Sequence, residues 1–136
     1  MVHALSEARR ALKPGGRLID LRPTMRNRRV ELLLPDARLF IGEIDSSGTF
    51  PDHVSADQAL DMAIAAGDFA AEHQTTFELV TDFDTVADLR EFVASARQTV
   101  MPDSIPAQIE TLTTDPSSDF IIRSRREMLI ARYRRL

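Results

Sequence analysis

The sequence predicts an α/β (or α+β) fold: a mixed sheet of about five strands carrying a β-hairpin, with helices set between the strands. Three observations point there. Apolar residues recur at helical spacing in three separated segments. Alternating or apolar runs of six to eight residues lie between them. Pro, Gly, Ser and Asp clusters separate the segments.

The elements follow in order. Val2, Leu5, Ala8 and Leu12 share one helical face, with Glu7, Arg9 and Arg10 opposite, predicting a helix over 2–12. Pro14 cannot continue it, and Gly15-Gly16 allow a reversal. Residues 17–22 then read as a short buried strand around Leu18, Ile19 and Leu21. Residues 23–29 are polar and read as a loop. Two extended runs flank Pro35-Asp36-Ala37 and predict a hairpin over 30–44.

Residues 45–53 read as a loop, and Ser55 with Gln58 is a capping-box signature for a helix over 56–72, which Gly67 weakens. Residues 76–83 alternate, with Phe77, Leu79 and Phe83 on one face and Glu78 and Asp82 on the other. Asp84 or Thr85 caps a helix over 85–98, whose stripe Val86, Leu89, Phe92 and Val93 reads as core. Ile105, Ile109 and Leu112 suggest one more short turn or helix. Residues 120–130 read as a strand on their Ile and Phe content, although the arginine run through 134 favours a helix. No linker or repeat divides the chain, so residues 1–136 are expected to form one domain.

Composition narrows the function classes. With 136 residues and 43% hydrophobic content, a real core is affordable in one domain. The net charge of −4 calls for neither nucleic acid nor an anionic membrane. There is no cysteine, which excludes disulfides and thiolate sites. No apolar run approaches a membrane span, and charged residues stand where a secretory segment would be apolar. A cytoplasmic location is the expectation.

The run Leu12-Lys13-Pro14-Gly15-Gly16-Arg17-Leu18-Ile19-Asp20-Leu21 resembles the entry to the fifth strand of class I S-adenosylmethionine-dependent methyltransferases. The order of elements after it is similar to that family's fifth strand, helix, sixth strand and antiparallel seventh strand. Residues 17–22, 56–72, 76–83 and 120–130 would match these in turn. The hairpin at 30–44 and the helix at 85–98 would be additions. The resemblance implies the back half of that fold without the front half, which holds the cofactor in family members. Nothing like their glycine-rich loop occurs among Gly15, Gly16, Gly42, Gly48 and Gly67. No cofactor residue carries over, and S-adenosylmethionine is implied only if a missing half is supplied. The expected role is an interaction or regulatory module, self-associating as a dimer or completing a partner chain. The alternative is an unrelated α+β ligand-binding protein or enzyme, with a pocket between sheet and helices.

Site candidates are few, and the sequence names no catalytic residue. Asp20 and Arg22 stand at the carboxyl end of the first strand, where open α/β sheets bind ligands. Arg26 belongs to a basic cluster with Arg22, Arg28 and Arg29. His53, with Asp45, Asp52 and Asp57 near in sequence, is the remaining ligand candidate. The spacing of His3, His53 and His73 supports no metal site. A second cluster runs through Arg123, Arg125, Arg126, Arg132, Arg134 and Arg135. Either cluster could meet phosphates, but neither has interleaved aromatics for stacking on bases, and an ion-paired or solvated face is the plainer reading. Arg26, Arg28 and Arg29 are expected to be exposed and replaceable without cost to the fold. The first strand's outer edge would lack its family neighbour, leaving the hairpin or a second copy to cover it.

Overall fold

The computed structural model describes residues 2–136. Its elements are α1 (Val2–Ala11), β1 (Arg17–Pro23), β2 (Arg28–Leu33), β3 (Arg38–Ile44), α2 (Phe50–Ala65), β4 (Phe69–Phe83), α3 (Val86–Ser95), α4 (Ser104–Leu112) and β5 (Ile121–Arg135). A short 3-10 turn, Ser47–Thr49, leads into α2. The fold class is α/β with one five-stranded sheet. Strand order is β1-β5-β2-β3, and β4 also pairs β5. The β1–β5, β2–β5 and β2–β3 pairings are antiparallel. The strand expected at 120–130 is β5, Ile121–Arg135. No helix among the described residues is long and apolar enough to cross a membrane.

The chain divides into two compact units. The first takes the chain up to Thr24, Phe50–Phe77 and Met128–Leu136; the second takes Met25–Thr49 and Glu78–Glu127. Strands β4 and β5 each give one part to both.

In the first unit, α1 and α2 cover one side of β1 and β5. Leu5, Ala59, Leu60, Phe69, Ala131 and Tyr133 form its core. Register pairs Leu18 with Tyr133 and Asp20 with Ala131, so alternation turns Ile19 and Leu21 to the other face. Both glycines of the Pro-Gly-Gly turn are required. Gly15 has φ +77°, and a Cβ on Gly16 would lie 2.7 Å from the Lys13 carbonyl oxygen. The turn is tied to the end of β5: Gly15 N–H donates to Arg135 O at 2.9 Å, and Arg135 N–H to Gly16 O at 2.8 Å.

Helix α2 differs at both ends from the expected 56–72. It starts at Phe50, with Pro51 in the first turn, where a missing N–H is no loss. Ser55 therefore lies inside the helix and donates to the Pro51 carbonyl at 3.0 Å, so it caps nothing. At the other end, Gly67 adopts φ +76°. Gly67 N–H donates to Ile64 O and Asp68 N–H to Ala63 O, the Schellman pairing that ends a helix. The freed segment from Phe69 joins β4. That strand is exposed along nearly its whole length. Phe77 and Leu79 are exposed and only Phe83 of the expected apolar face is buried, because neither core cluster reaches the middle of β4.

In the second unit, α3 and α4 supply Leu89, Val93, Ile105 and Ile109 to a core with Val30, Leu32, Ile44, Phe83 and Ile122. Thr85 caps α3 as expected, its hydroxyl accepting from Asp88 N–H at 3.1 Å. The hairpin closes through paired bonds between Leu34 and Ala37. Its strand β2 pairs with β5.

Candidate functional site

Among the sequence candidates, the structure brings together Asp20, Arg22 and the backbone of His53. Asp20 and Arg22 are two residues apart on β1 and face α2. One turn of α2 presents the His53 carbonyl and the Asp57 carboxylate four residues apart, on one helix face. Arg22 Nη1 donates to His53 O at 3.0 Å, and Nη2 donates to Asp57 Oδ1. Arg22 Nε lies 3.0 Å from Asp20 Oδ2, an ion pair too poorly aligned to be a hydrogen bond. The Arg22 side chain is 12% exposed.

Tyr133 completes this cluster from β5. Burial, then the carboxylates of Asp20, Asp57 and Asp61 against the opposing charge of Arg22, raise its phenol above the usual range. It is a neutral hydroxyl at any physiological pH. Beside the cluster is a cavity of about 200 Å³ lined by Leu5, Leu18, Asp20, Ala56 and Leu60, among others. Asp20 is its one charged wall residue.

Arg26 is elsewhere. It is largely exposed and pairs with Glu127 at 3.4 Å. The other basic residues of that cluster also part ways. Arg29 lies over the Phe40 ring, 5.2 Å from its centroid. Arg28 is buried, contrary to expectation. Strand β2 begins at Arg28, earlier than the apolar pattern suggests, and alternation with Val30 and Leu32 turns its side chain toward the core. Its Nη1 donates to Ser124 Oγ at 2.8 Å, and its guanidinium lies 4.9 Å from the Phe92 centroid.

The second arginine cluster is mostly neutralised. Glu72 holds Arg17, Arg132 and Arg134 at 3.3, 2.8 and 3.4 Å. Arg123 makes a two-pronged pair with Asp82 at 2.7 Å. Arg125 bridges Glu31 and Glu78, each at 2.9 Å, and Arg38 closes on Glu31 at 2.8 Å. Burial alone would raise the Glu31 carboxyl, but hydrogen bonds from Arg38 and Arg125 outweigh it and hold the group below the usual range. Hydrogen bonding from Arg123 likewise lowers Asp82.

The acidic residues near His53 do not converge. Asp45 accepts from Ser47 N–H at 2.8 Å, and Asp57 is engaged by Arg22. Among the described residues no group of three or more His, Asp or Glu could hold a metal.

The glycines do not fit S-adenosylmethionine. Gly15, Gly16 and Gly67 lie in helix-to-strand turns, and Gly42 is inside β3 against Ile105. Gly48 alone lies between a strand and a helix. A Cβ there would be 2.9 Å from Gln98, so protein fills the space a ligand would need. No protein-family profile, curated protein or solved structure matches this chain.

Proposed function

We propose that this chain forms the back half of a class I methyltransferase-like fold and acts as an interaction module. It would complete a cofactor-binding half, whichever polypeptide carries that half, and does not bind S-adenosylmethionine itself. The observation that carries this reading is the outer edge of β1. That strand follows the Pro-Gly-Gly turn, ends the strand order and pairs only with β5 among the described strands. Ile19 and Leu21 are 53% and 56% exposed on the face turned away from α1 and α2. An edge with free backbone groups beside exposed apolar side chains is suited to accept another strand. The antiparallel last strand beside β1 agrees with the same ancestry. Without a completing partner, two copies would pair through this edge.

The test is mass measurement by light scattering across a concentration series, with calorimetric titration of S-adenosylmethionine. A concentration-dependent dimer is expected, and Leu21→Lys should abolish it without lowering thermal stability. Micromolar cofactor binding by the chain alone, or a mass of 15.3 kDa at every concentration, would reject this reading.

The cavity beside Asp20 favours a second reading, a small-ligand site. Ligand pockets usually measure about 300–1,000 Å³. At about 200 Å³ this one is small, and Arg22 already engages its one carboxylate. The edge is the stronger feature.

A further inference from the structure

The second unit holds a buried and a half-buried arginine as neighbours with no carboxylate between them. Arg28 opens β2, and Arg126 lies on β5. Arg29 pairs with Arg125 in the antiparallel ladder, which puts Arg28 and Arg126 next in register. Alternation sends both to the side of Val30 and Ser124, where the core lies. Arg28 is 7% exposed. Arg126 is half-buried, with its Nε enclosed and without a hydrogen-bond partner. Neither side chain takes part in an ion pair among the described residues.

Neighbouring like charges on adjacent strands repel. Burying a guanidinium without a counter-charge adds a desolvation cost. The groups that do contact Arg28 are the Ser124 hydroxyl and the Phe92 face. They accept a hydrogen bond and a stacked cation, but neither carries negative charge. Burial, then the charge of Arg126, pushes the Arg28 pKa down to about 10, and burial lowers Arg126 as well. Both remain cations at neutral pH. In contrast, Arg22, Arg123 and Arg125 all have carboxylates, so the chain is not short of acids to place here.

The missing counter-charge is therefore one the protein does not supply. Arginine forks match oxyanions in two-pronged geometry. Two adjacent cations complement a dianion better than a carboxylate, and a phosphate group carries about −1.5 to −2 near neutral pH. We propose that Arg28 and Arg126 form a binding site for a phosphate group, free or carried by a small ester. The half-exposed Arg126 side is the route in, and Ser124 holds Arg28 in place. This site stands on different residues from the β1 edge and does not depend on the methyltransferase-like reading.

The test is calorimetric titration of the full chain at low salt with inorganic phosphate, glycerol 3-phosphate, sulfate and acetate. Saturable one-site binding of phosphate is expected, with sulfate competing and acetate weaker. Arg126→Gln should weaken binding about tenfold or more, as loss of a charge-assisted fork would. Arg126→Lys should weaken it less. Arg123→Gln, which leaves the pair intact, should change nothing. Tighter binding of the ester than of the free ion would identify the ester as the source, and the reverse the free ion. Absence of saturable phosphate binding, equal affinity for acetate, or a phosphate affinity that Arg126→Gln leaves unchanged would each overturn the site. Thermal unfolding of each variant establishes that it is folded.

Discussion

Arg22 and Arg28 belong to the same basic stretch of sequence, and both side chains are largely enclosed, yet their surroundings are opposite. Arg22 lies between Asp20 and Asp57 and reaches the His53 carbonyl. Arg28 has a hydroxyl, an aromatic ring and a second arginine. The contrast separates two uses of a buried cation. Where the protein supplies the counter-charge, the arginine ties a strand to a helix. Where it does not, the cation is left for an anion from outside.

Substitutions at these two arginines and at their partners test the contrast. Arg22→Ala should have the largest effect. It removes the only cation between two carboxylates and leaves the His53 carbonyl without this donor. Losing one partner of a buried pair typically costs about 3–5 kcal/mol. Because Asp57 is half exposed, the low end, about 3 kcal/mol, is expected in urea unfolding. A loss under about 1 kcal/mol would reduce Arg22 to a surface pair.

Acid should act next, through Glu31 and Asp82. Both carboxyls are lowered in the folded state, Glu31 by Arg38 and Arg125 against the effect of burial, Asp82 mainly by Arg123. A depressed pKa means the unfolded chain takes up protons first. This stability is full above the unfolded value, near 4.5 for Glu31, and is lost as pH falls through the folded one. Unfolding midpoints should therefore drop below about pH 4.5, and Glu31→Gln should flatten that drop. An unchanged acid profile in Glu31→Gln would show that other groups set it.

Arg126→Leu should go the other way. Removing an unpartnered, half-buried cation beside Arg28 is expected to raise stability by about 1 kcal/mol in phosphate-free buffer. A clear loss would mean that Arg126 holds the fold together. The smallest effect belongs to Arg26→Gln. Its side chain is 74% exposed and its pair with Glu127 is long, so a change within about 0.5 kcal/mol is expected.

Much of the fold was legible because the signals were local. The first helix, the Pro-Gly-Gly turn, the hairpin and the Thr85 cap each rest on residues within one or two turns of chain. What escaped depended on partners distant in sequence. Gly67 ends α2 because it takes a left-handed conformation, while an alanine-rich run on either side reads as continuous helix. The apolar pattern of β4 promised a buried face, but neither core cluster packs against Phe77 or Leu79. Arg28 sits in a polar run, and only the β2–β5 register shows that it points inward. Of the site candidates, Asp20 and Arg22 were named from their place on the first strand, and the structure pairs them there. Arg126 was visible only as one arginine among many, because sequence cannot show which of them lacks a carboxylate.

The contrast between the two buried arginines can be read directly from their side-chain Nε–H signals by nuclear magnetic resonance during a phosphate titration at low salt. The signals of Arg28 and Arg126 should shift together and saturate while that of Arg22 stays in place. A stationary Arg126, or an Arg22 that moves as far, would contradict it.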